Sequence, residues 1–596
     1  MSSYTAPLRD MQFVLNELAG LDKVVQLPGY QDVSADDVEL ILDEAAKFAG
    51  EILAPLNHSG DEEGAHWANN AVTMPKGFKH AYTQFVENGW NALGGNPEHG
   101  GQGLPKVVAA AVQEMWQAAN MSFGLCPLLN NGAVEALELY GSAEQKAMYL
   151  PKMIAGAWTG TMNLTEAQAG SDLAQVRTRA VPQDDGTYRI FGSKIFITYG
   201  DHDMTENTIH LVLARTPTAP EGVKGISLFV VPKFLVNPDG TLGARNDAYC
   251  VSIEHKLGIH ASPTSVMAFG DHGGAIGTLV GKENEGLKYM FVMMNASRFG
   301  VGIQGLAIAD RAYQKAVTYA RDRVQSRAIE GSAAAVAIIR HPDIRRNLML
   351  MRSQVEAMRA LAYSVAAAHD AAENHADTQE RAANQAFVDF MIPIVKGWST
   401  EVGNELAYLG VQVHGGMGFI EETGAAQYQR DARITTIYEG TTGIQANDLI
   451  GRKLAREGGA TLQRVIAMIE QTLGESKQHT GADFAALNAA LENGVAALRT
   501  AGDYIAKNFA TEVRAVAAGA VPFLRLAGIV CGGWMMTRAA LVAQSRIAAG
   551  NNDPFYGAKI VTARFYADHV MTAAAGLTQE IVAGGASALT LDEAMF

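Results

Sequence analysis

Tyr188-Arg189-Ile190-Phe191-Gly192-Ser193-Lys194-Ile195-Phe196-Ile197-Thr198-Tyr199-Gly200 reads as a β-strand closed by a glycine, rich in β-branched and aromatic residues. Three shorter runs share this texture, Thr208–Arg215, Gly225–Val231 and Tyr249–Ile253, and Asp, Gly and Pro separate them. The spacing, from about residue 160 to 280, predicts a small antiparallel sheet or barrel. Alternating βαβ units, and with them a doubly wound dinucleotide fold, are disfavoured.

Helical patterns flank the strands on both sides. From about 35 to 155 apolar residues recur every three or four positions, through Val107–Met121 and Ala133–Met153, after Asp36 and Asp37 open the first helix. From about 283 to 455 the segments Leu287–Asn295, Gly305–Val324, Asp343–His369 and Gln379–Leu409 each give several turns, with an interruption expected near Pro393. Past 456 the chain is Ala-rich and helical, with breaks near Gly474–Thr480 and Asn551–Pro554. The expected fold class is α+β, mainly α, in four parts. These are an N-terminal helical domain (1–159), a central antiparallel β-domain (160–282), a helical bundle (283–455) and an additional C-terminal helical domain (456–596).

The 596 residues are 48% apolar, enough for a substantial core, and the net charge of −15 argues against a nucleic-acid surface. Cys126, Cys250 and Cys531 form no C-x-x-C pair, which suits a reducing, cytoplasmic setting, and the histidines show no ligand spacing, so no metal is expected. Met1–Leu18 carries Arg9, Asp10 and Glu17 and has no secretory h-region. Ala515–Thr537 is apolar, but Pro522, Arg525 and its glycines make it read as buried bundle helix rather than a membrane span.

Four constellations carry chemistry. Ile437-Tyr438-Glu439-Gly440-Thr441-Thr442-Gly443-Ile444-Gln445 sets one carboxylate among apolar, glycine and hydroxyl neighbours, where desolvation would make it a usable base. A helix N-terminus that favours the charge of Glu439 explains the same residues. Met162-Asn163-Leu164-Thr165-Glu166-Ala167-Gln168-Ala169-Gly170-Ser171-Asp172 is a loop of small and hydroxyl residues suited to a phosphate or a heterocycle edge, or equally an ordinary capped turn. On the opening strand, Phe196 and Thr198 lie two apart, so one face would offer a flat wall and a hydrogen-bonding group. Gln412-Val413-His414-Gly415-Gly416-Met417-Gly418-Phe419 allows close backbone approach, with His414 read as a packed histidine rather than a ligand.

In this order the T-E-x-x-x-G-S-D loop, the K-x-[WF]-I-T strand, the Q-x-x-G-G-x-G-F turn and the Y-E-G-T phrase resemble the acyl-CoA dehydrogenase family. Length and the segment Tyr4-Thr5-Ala6-Pro7-Leu8-Arg9-Asp10-Met11 are similar to its enlarged bacterial branch of about 600 residues. That branch includes 3-methylmercaptopropionyl-CoA dehydrogenases and dehydrogenases of straight-chain acyl-CoAs. The resemblance implies an oxidoreductase that binds FAD as a homodimer, dehydrogenates an acyl-CoA between Cα and Cβ, and passes electrons to an electron-transferring flavoprotein. It implies Glu439 as the base that takes the α-proton. Met162, Leu164, Thr165, Gly170, Ser171, Phe196 and Thr198 would meet the cofactor, with Phe196 where many members have tryptophan.

Arg323 and Gln325 would reach the pyrophosphate of the neighbouring subunit's FAD, and Gln412, Gly415 and Gly416 would approach from the partner. Thr441 would cover the cofactor near the base. Ser171, Arg298, Tyr438 and Gly440 would meet substrate, with a helix-face salt bridge as the plainer explanation of Arg298. The expected substrate is 3-methylmercaptopropionyl-CoA, giving methylthioacryloyl-CoA, with a medium- or long-chain acyl-CoA of fatty-acid β-oxidation as the alternative. An acyl-CoA oxidase and a DNA-associated flavoprotein share the scaffold; Glu593-Ala594-Met595-Phe596 is no peroxisomal address, and the acidic balance opposes DNA.

Overall fold

The computed structural model describes residues 4–596, so Met1 to Ser3 of the N-terminal segment lie outside the described residues. Internal contacts divide the chain into two units. One comprises Lys47–Leu104 and Ala119–Gly300, the other Met1–Ala46, Pro105–Ala118 and Val301–Phe596.

The first unit is built on an eight-stranded sheet. Its strands are β1 (Trp158–Asn163), β2 (Arg179–Pro182), β3 (Tyr188–Thr198), β4 (Asn207–Ala214), β5 (Ser227–Pro232), β6 (Ala248–Ile253), β7 (Thr264–Phe269) and β8 (Ala275–Val280). They run in the order β6-β7-β3-β8-β5-β4-β1, with β2 paired to β3. Every pairing is antiparallel except β1 with β4. The expected antiparallel sheet therefore carries one parallel edge.

β4 and β5 are buried at every position because both faces of the sheet are covered. Ile209, Leu211, Leu213, Leu228 and Val230 join one core with the helix α1 (Met121–Tyr140), while Val212, Ala214, Phe229 and Val231 join a second core on the opposite face.

Long helices dominate the other unit. They include the greater part of α2 (Gly286–Asp322), α3 (Pro342–Asn374), α4 (Thr378–His414), α6 (Ala520–Ala548) and α7 (Pro554–His569), with the short α5 (Thr442–Asn447) following α4. Two expectations are corrected here. α2 is one continuous helix, not two separated between residues 295 and 305, and α4 runs through Pro393 without interruption.

Gly302 and Gly305 are packing positions rather than breaks. A Cβ on Gly305 would lie 2.5 Å from the Ser399 carbonyl of α4, and one on Gly403 would lie 2.6 Å from the Gly305 carbonyl. Gly305→Ala should therefore lower stability by about 1–3 kcal/mol through overpacking against backbone, read as a drop in the thermal unfolding midpoint. At Pro393 one hydrogen bond is lost, but Met391 to Thr400 are all buried, and packing on every side carries the helix past it.

α6 is long and apolar enough to cross a membrane by length and composition, and 83% of its most apolar window is buried within the fold. The N-terminal segment packs on these later helices. Phe13 meets Phe555 edge-on, Arg9 pairs with Asp553 at 2.6 Å, and Arg538 donates to the Leu18 carbonyl.

Beneath lies a buried charge cluster. Arg359 of α3 donates to Glu114, to Asp10 and, more distantly, faces Asp310. Lys559 of α7 donates to Asp10 and Glu356, and Tyr363 donates to Glu114. Burial alone would push the Asp10 carboxyl up, but Lys559 and Arg359 outweigh it and hold it at about 2.

Candidate active site

Glu439 sits in a left-handed backbone conformation with φ of +56°, followed by Gly440 at +85°. For a residue with a Cβ this conformation costs on the order of 1–3 kcal/mol, and it persists only where its surroundings determine it. Those surroundings are explicit. The Gln445 amide donates to the Glu439 carbonyl at 2.9 Å, and the Lys396 ammonium donates to the Gly440 carbonyl at 2.6 Å. Gly440 is required twice, by its φ and because a Cβ there would meet Gln445 Nε2 at 2.8 Å.

Thr441 is the N-cap of α5, its hydroxyl accepting from the Ile444 N–H, and Thr442 donates to Glu401 of α4. Glu439 thus lies three residues ahead of α5, not in its first turn. Tyr438 is half-buried, and its hydroxyl donates to Gln304, which in turn donates to Gln117. Burial and then the charge of Glu439 push the Tyr438 phenol well up, so it stays protonated.

In the sheet-bearing unit the second constellation is locked by a buried ion pair. Lys194 is fully buried and donates to Glu166 at 2.8 Å and to the Leu164 carbonyl at 3.0 Å. Glu166 also accepts from the Thr178 hydroxyl, the Arg177 and Thr178 N–H groups and Gln168. Burial raises the Glu166 pKa, yet Lys194 and these donors prevail and bring it to about 2. Burial dominates for Lys194 and lowers it to about 8, with Glu166 opposing. The pair is ionised at neutral pH.

The strand is not regular where the flat wall is needed. Between Lys194 and Ile197, β3 carries one residue more than β7 opposite, and Phe196 takes φ of +60°. This β-bulge breaks the two-residue alternation, so Phe196 and Thr198 do not share a face by the simple strand rule. It turns the Phe196 ring outward, 59% exposed, while Ile197 is buried. The Ile195 N–H donates to the Thr165 carbonyl at 2.9 Å, which binds the bulge to the loop. Leu164 and Thr165 are thereby tied to the strand that carries Phe196 and Thr198, with Met162 ahead of them on β1 and Gly170 and Ser171 exposed further along the same loop.

The remaining expected residues fall in three places. Arg323 and Gln325, exposed just past the end of α2, are joined by a hydrogen bond of 3.3 Å. Gln412, Gly415 and Gly416 are exposed at the end of α4, and a Cβ on either glycine would meet nothing within 4 Å. His414 is a packed histidine, donating to the Gly410 carbonyl and stacked on Tyr319. Arg298 is buried within α2 rather than on an exposed helix face, which removes the surface salt bridge as its explanation.

Sequence reasoning assigned no role to Lys194, Glu166, Lys396, Gln304 or Gln445. Lys194 and Glu166 lie inside the quoted motifs, and the charge of Lys194 directly before the apolar run Ile195–Ile197 is the available signal.

These groups fit FAD. In the sheet-bearing unit an exposed aromatic ring on a strained bulge, with Thr165 and Thr198 close in the chain, suits a planar heterocycle; in the helical unit the open backbone at Gly415 and Gly416 and the exposed Arg323 are each of a kind that suits a diphosphate.

Family models match along the chain in order. They are the acyl-CoA dehydrogenase N-terminal domain over residues 35–157, the middle domain over 161–271, the C-terminal domain over 284–454, and an acetyl-CoA dehydrogenase C-terminal-like domain over 465–592. The chain is 52% identical over 589 residues to 3-methylmercaptopropionyl-CoA dehydrogenase of Ruegeria pomeroyi, covering 99% of each. It is 36% identical over 619 residues to a broad-specificity linear acyl-CoA dehydrogenase of Mycobacterium tuberculosis, covering 100% of each. Its fold is shared with an acyl-CoA dehydrogenase complexed with FAD from Bacillus anthracis, at 20% identity and a TM-score of 0.74, over 98% of this chain and 93% of that one. The chain belongs to the acyl-CoA dehydrogenase family, FAD-dependent oxidoreductases that dehydrogenate acyl-CoA thioesters.

Proposed function

We propose that this enzyme converts 3-methylmercaptopropionyl-CoA to methylthioacryloyl-CoA, with Glu439 removing the α-proton. The observation that carries the mechanism is the left-handed Glu439–Gly440 turn, whose two carbonyls are fixed by Gln445 and Lys396. The substrate rests on 52% identity along the whole chain to a dehydrogenase named for that compound.

The α-hydrogen of a thioester is weakly acidic, so a base must be held in place and charge on the thioester oxygen must be met by a donor. Glu439 supplies both, the carboxylate as proton acceptor and its own N–H as donor; one such donor is worth about 10²–10³ in rate. Gly440 keeps the approach to the thioester free of a side chain. Bound FAD supplies the two-electron oxidant that accepts the β-hydrogen as hydride.

Met162, Leu164, Thr165, Gly170, Ser171, Phe196 and Thr198 hold its flavin side. Arg323, Gln325, Gln412, Gly415 and Gly416 hold the cofactor of a second subunit in a homodimer, and Thr441 covers it near the base. Ser171, Arg298, Tyr438 and Gly440 contact the acyl-CoA. The electron acceptor is an electron-transferring flavoprotein, the setting is cytoplasmic, and the four domains divide at residues 159, 282 and 455.

Straight-chain acyl-CoA is the second reading, favoured by the 36% identity to a linear acyl-CoA dehydrogenase. Sulfur in place of a methylene changes shape little, and an apolar pocket separates such a pair by only about 1–3 kcal/mol. Anaerobic titration with 3-methylmercaptopropionyl-CoA and pentanoyl-CoA decides between them. Flavin bleaching by the sulfur compound at far lower concentration is the expected result; equal bleaching overturns the narrow substrate.

A further inference from the structure

Lys396 is a fully buried cation in the middle of α4. Desolvating an ammonium is expensive, so its hydrogen bonds in the interior matter. Its bond goes to Gly440, the residue after the base, in a turn that is otherwise strained. The neighbouring carbonyl, that of Glu439, is taken by Gln445, also fully buried. Glu401, farther along α4, accepts from Thr442 and anchors the far side of the same turn. Both carbonyls of the left-handed pair are therefore held by buried side chains, one through a charge-assisted bond of 2.6 Å, the stronger class of hydrogen bond.

We propose that Lys396 is the positioning residue of the catalytic turn, its ammonium holding the Glu439–Gly440 backbone in the left-handed form that presents the carboxylate; the role rests on Glu439 being the base. In this role Lys396 works on the backbone of the turn. It acts through Gly440, so its loss slows proton removal while leaving the thioester bound. A displacement of about 1 Å in a reacting group costs up to about 10²-fold, which sets the scale.

The test measures proton removal alone. In a 3-thia-acyl-CoA, sulfur replaces the β-carbon, so the α-proton can leave to Glu439 and return as deuterium from D₂O, but no β-hydride exists. The holoenzyme, Lys396→Met, Lys396→Gln and Glu439→Gln are compared for FAD content, probe affinity and α-hydrogen exchange. Lys396→Met should keep FAD and probe affinity while exchange slows by about 10- to 100-fold. Lys396→Gln, whose amide can still donate to Gly440, should fall between the two.

Exchange at the parent rate in Lys396→Met overturns the proposal. So does loss of FAD or of folding in both Lys396 variants, which would make Lys396 a general structural residue. Exchange persisting in Glu439→Gln would instead overturn the assignment of the base.

Discussion

Glu439→Gln should bind FAD normally and turn over acyl-CoA more slowly by about 10²–10⁴-fold, the usual contribution of a general base. The amide is nearly isosteric, so the φ of +56° and the hydrogen bonds from Gln445 and Lys396 to the turn are retained. The backbone N–H of residue 439 also remains, which is why binding of the thioester should change little. The loss should appear in kcat rather than KM, as expected for an interaction made only during reaction. Steady-state kinetics beside a flavin absorbance spectrum check both halves, and unchanged turnover sinks the assignment.

The second large effect concerns the loop behind Thr165. Glu166→Ala should destabilise by about 3–5 kcal/mol and release FAD, because it strands a buried ammonium. Lys194 would keep only the Leu164 carbonyl, while Arg177, Thr178 and Gln168 would lose an acceptor. Lys194→Met should cost less, since Glu166 retains those other donors. The double variant should be milder than the sum of the two, as removing both charges leaves neither stranded. Urea unfolding and retained flavin after gel filtration provide the comparison, and equal costs for the two single variants would contradict the ranking.

Acid acts on the same pair. The Glu166 pKa is about 2 in the folded chain against an ordinary value of 4.5, so its stabilisation is full above 4.5 and is lost as pH falls through 2.

The order of helices, sheet and helices was legible because period-2 and period-3.6 patterns survive in single segments. Thr208–Arg215 and Gly225–Val231 match β4 and β5 to within a residue or two. What misled were residues whose role depends on a distant partner. Gly302 falls in the gap left between the helical patterns of Leu287–Asn295 and Gly305–Val324, a gap that closes once the α4 backbone is seen pressed against Gly302 and Gly305, and Pro393 looks like an end until burial is counted. The bulge at Phe196 is invisible in a motif of regular strand texture, since its cause is the unequal length of β3 and β7 between fixed pairs.

The site divides in the same way. Glu439 stood out by its chemical isolation among apolar and glycine neighbours. Lys396 and Gln445 act on its turn through bonds that only the three-dimensional packing brings together.

The Asp10–Lys559 contact has a consequence for how the protein is made. Its partners are 549 residues apart in the chain. At about 5–20 residues per second, Asp10 waits roughly half a minute to two minutes on the ribosome before its lysine exists. Once Arg359 is made it can pair with Glu114, but the N-terminal segment still has nothing to dock on where Phe555 and Lys559 will later lie. The contacts of Asp10 with Lys559 and of Phe13 with Phe555 therefore close late, and a chain that stops short of these residues cannot form them.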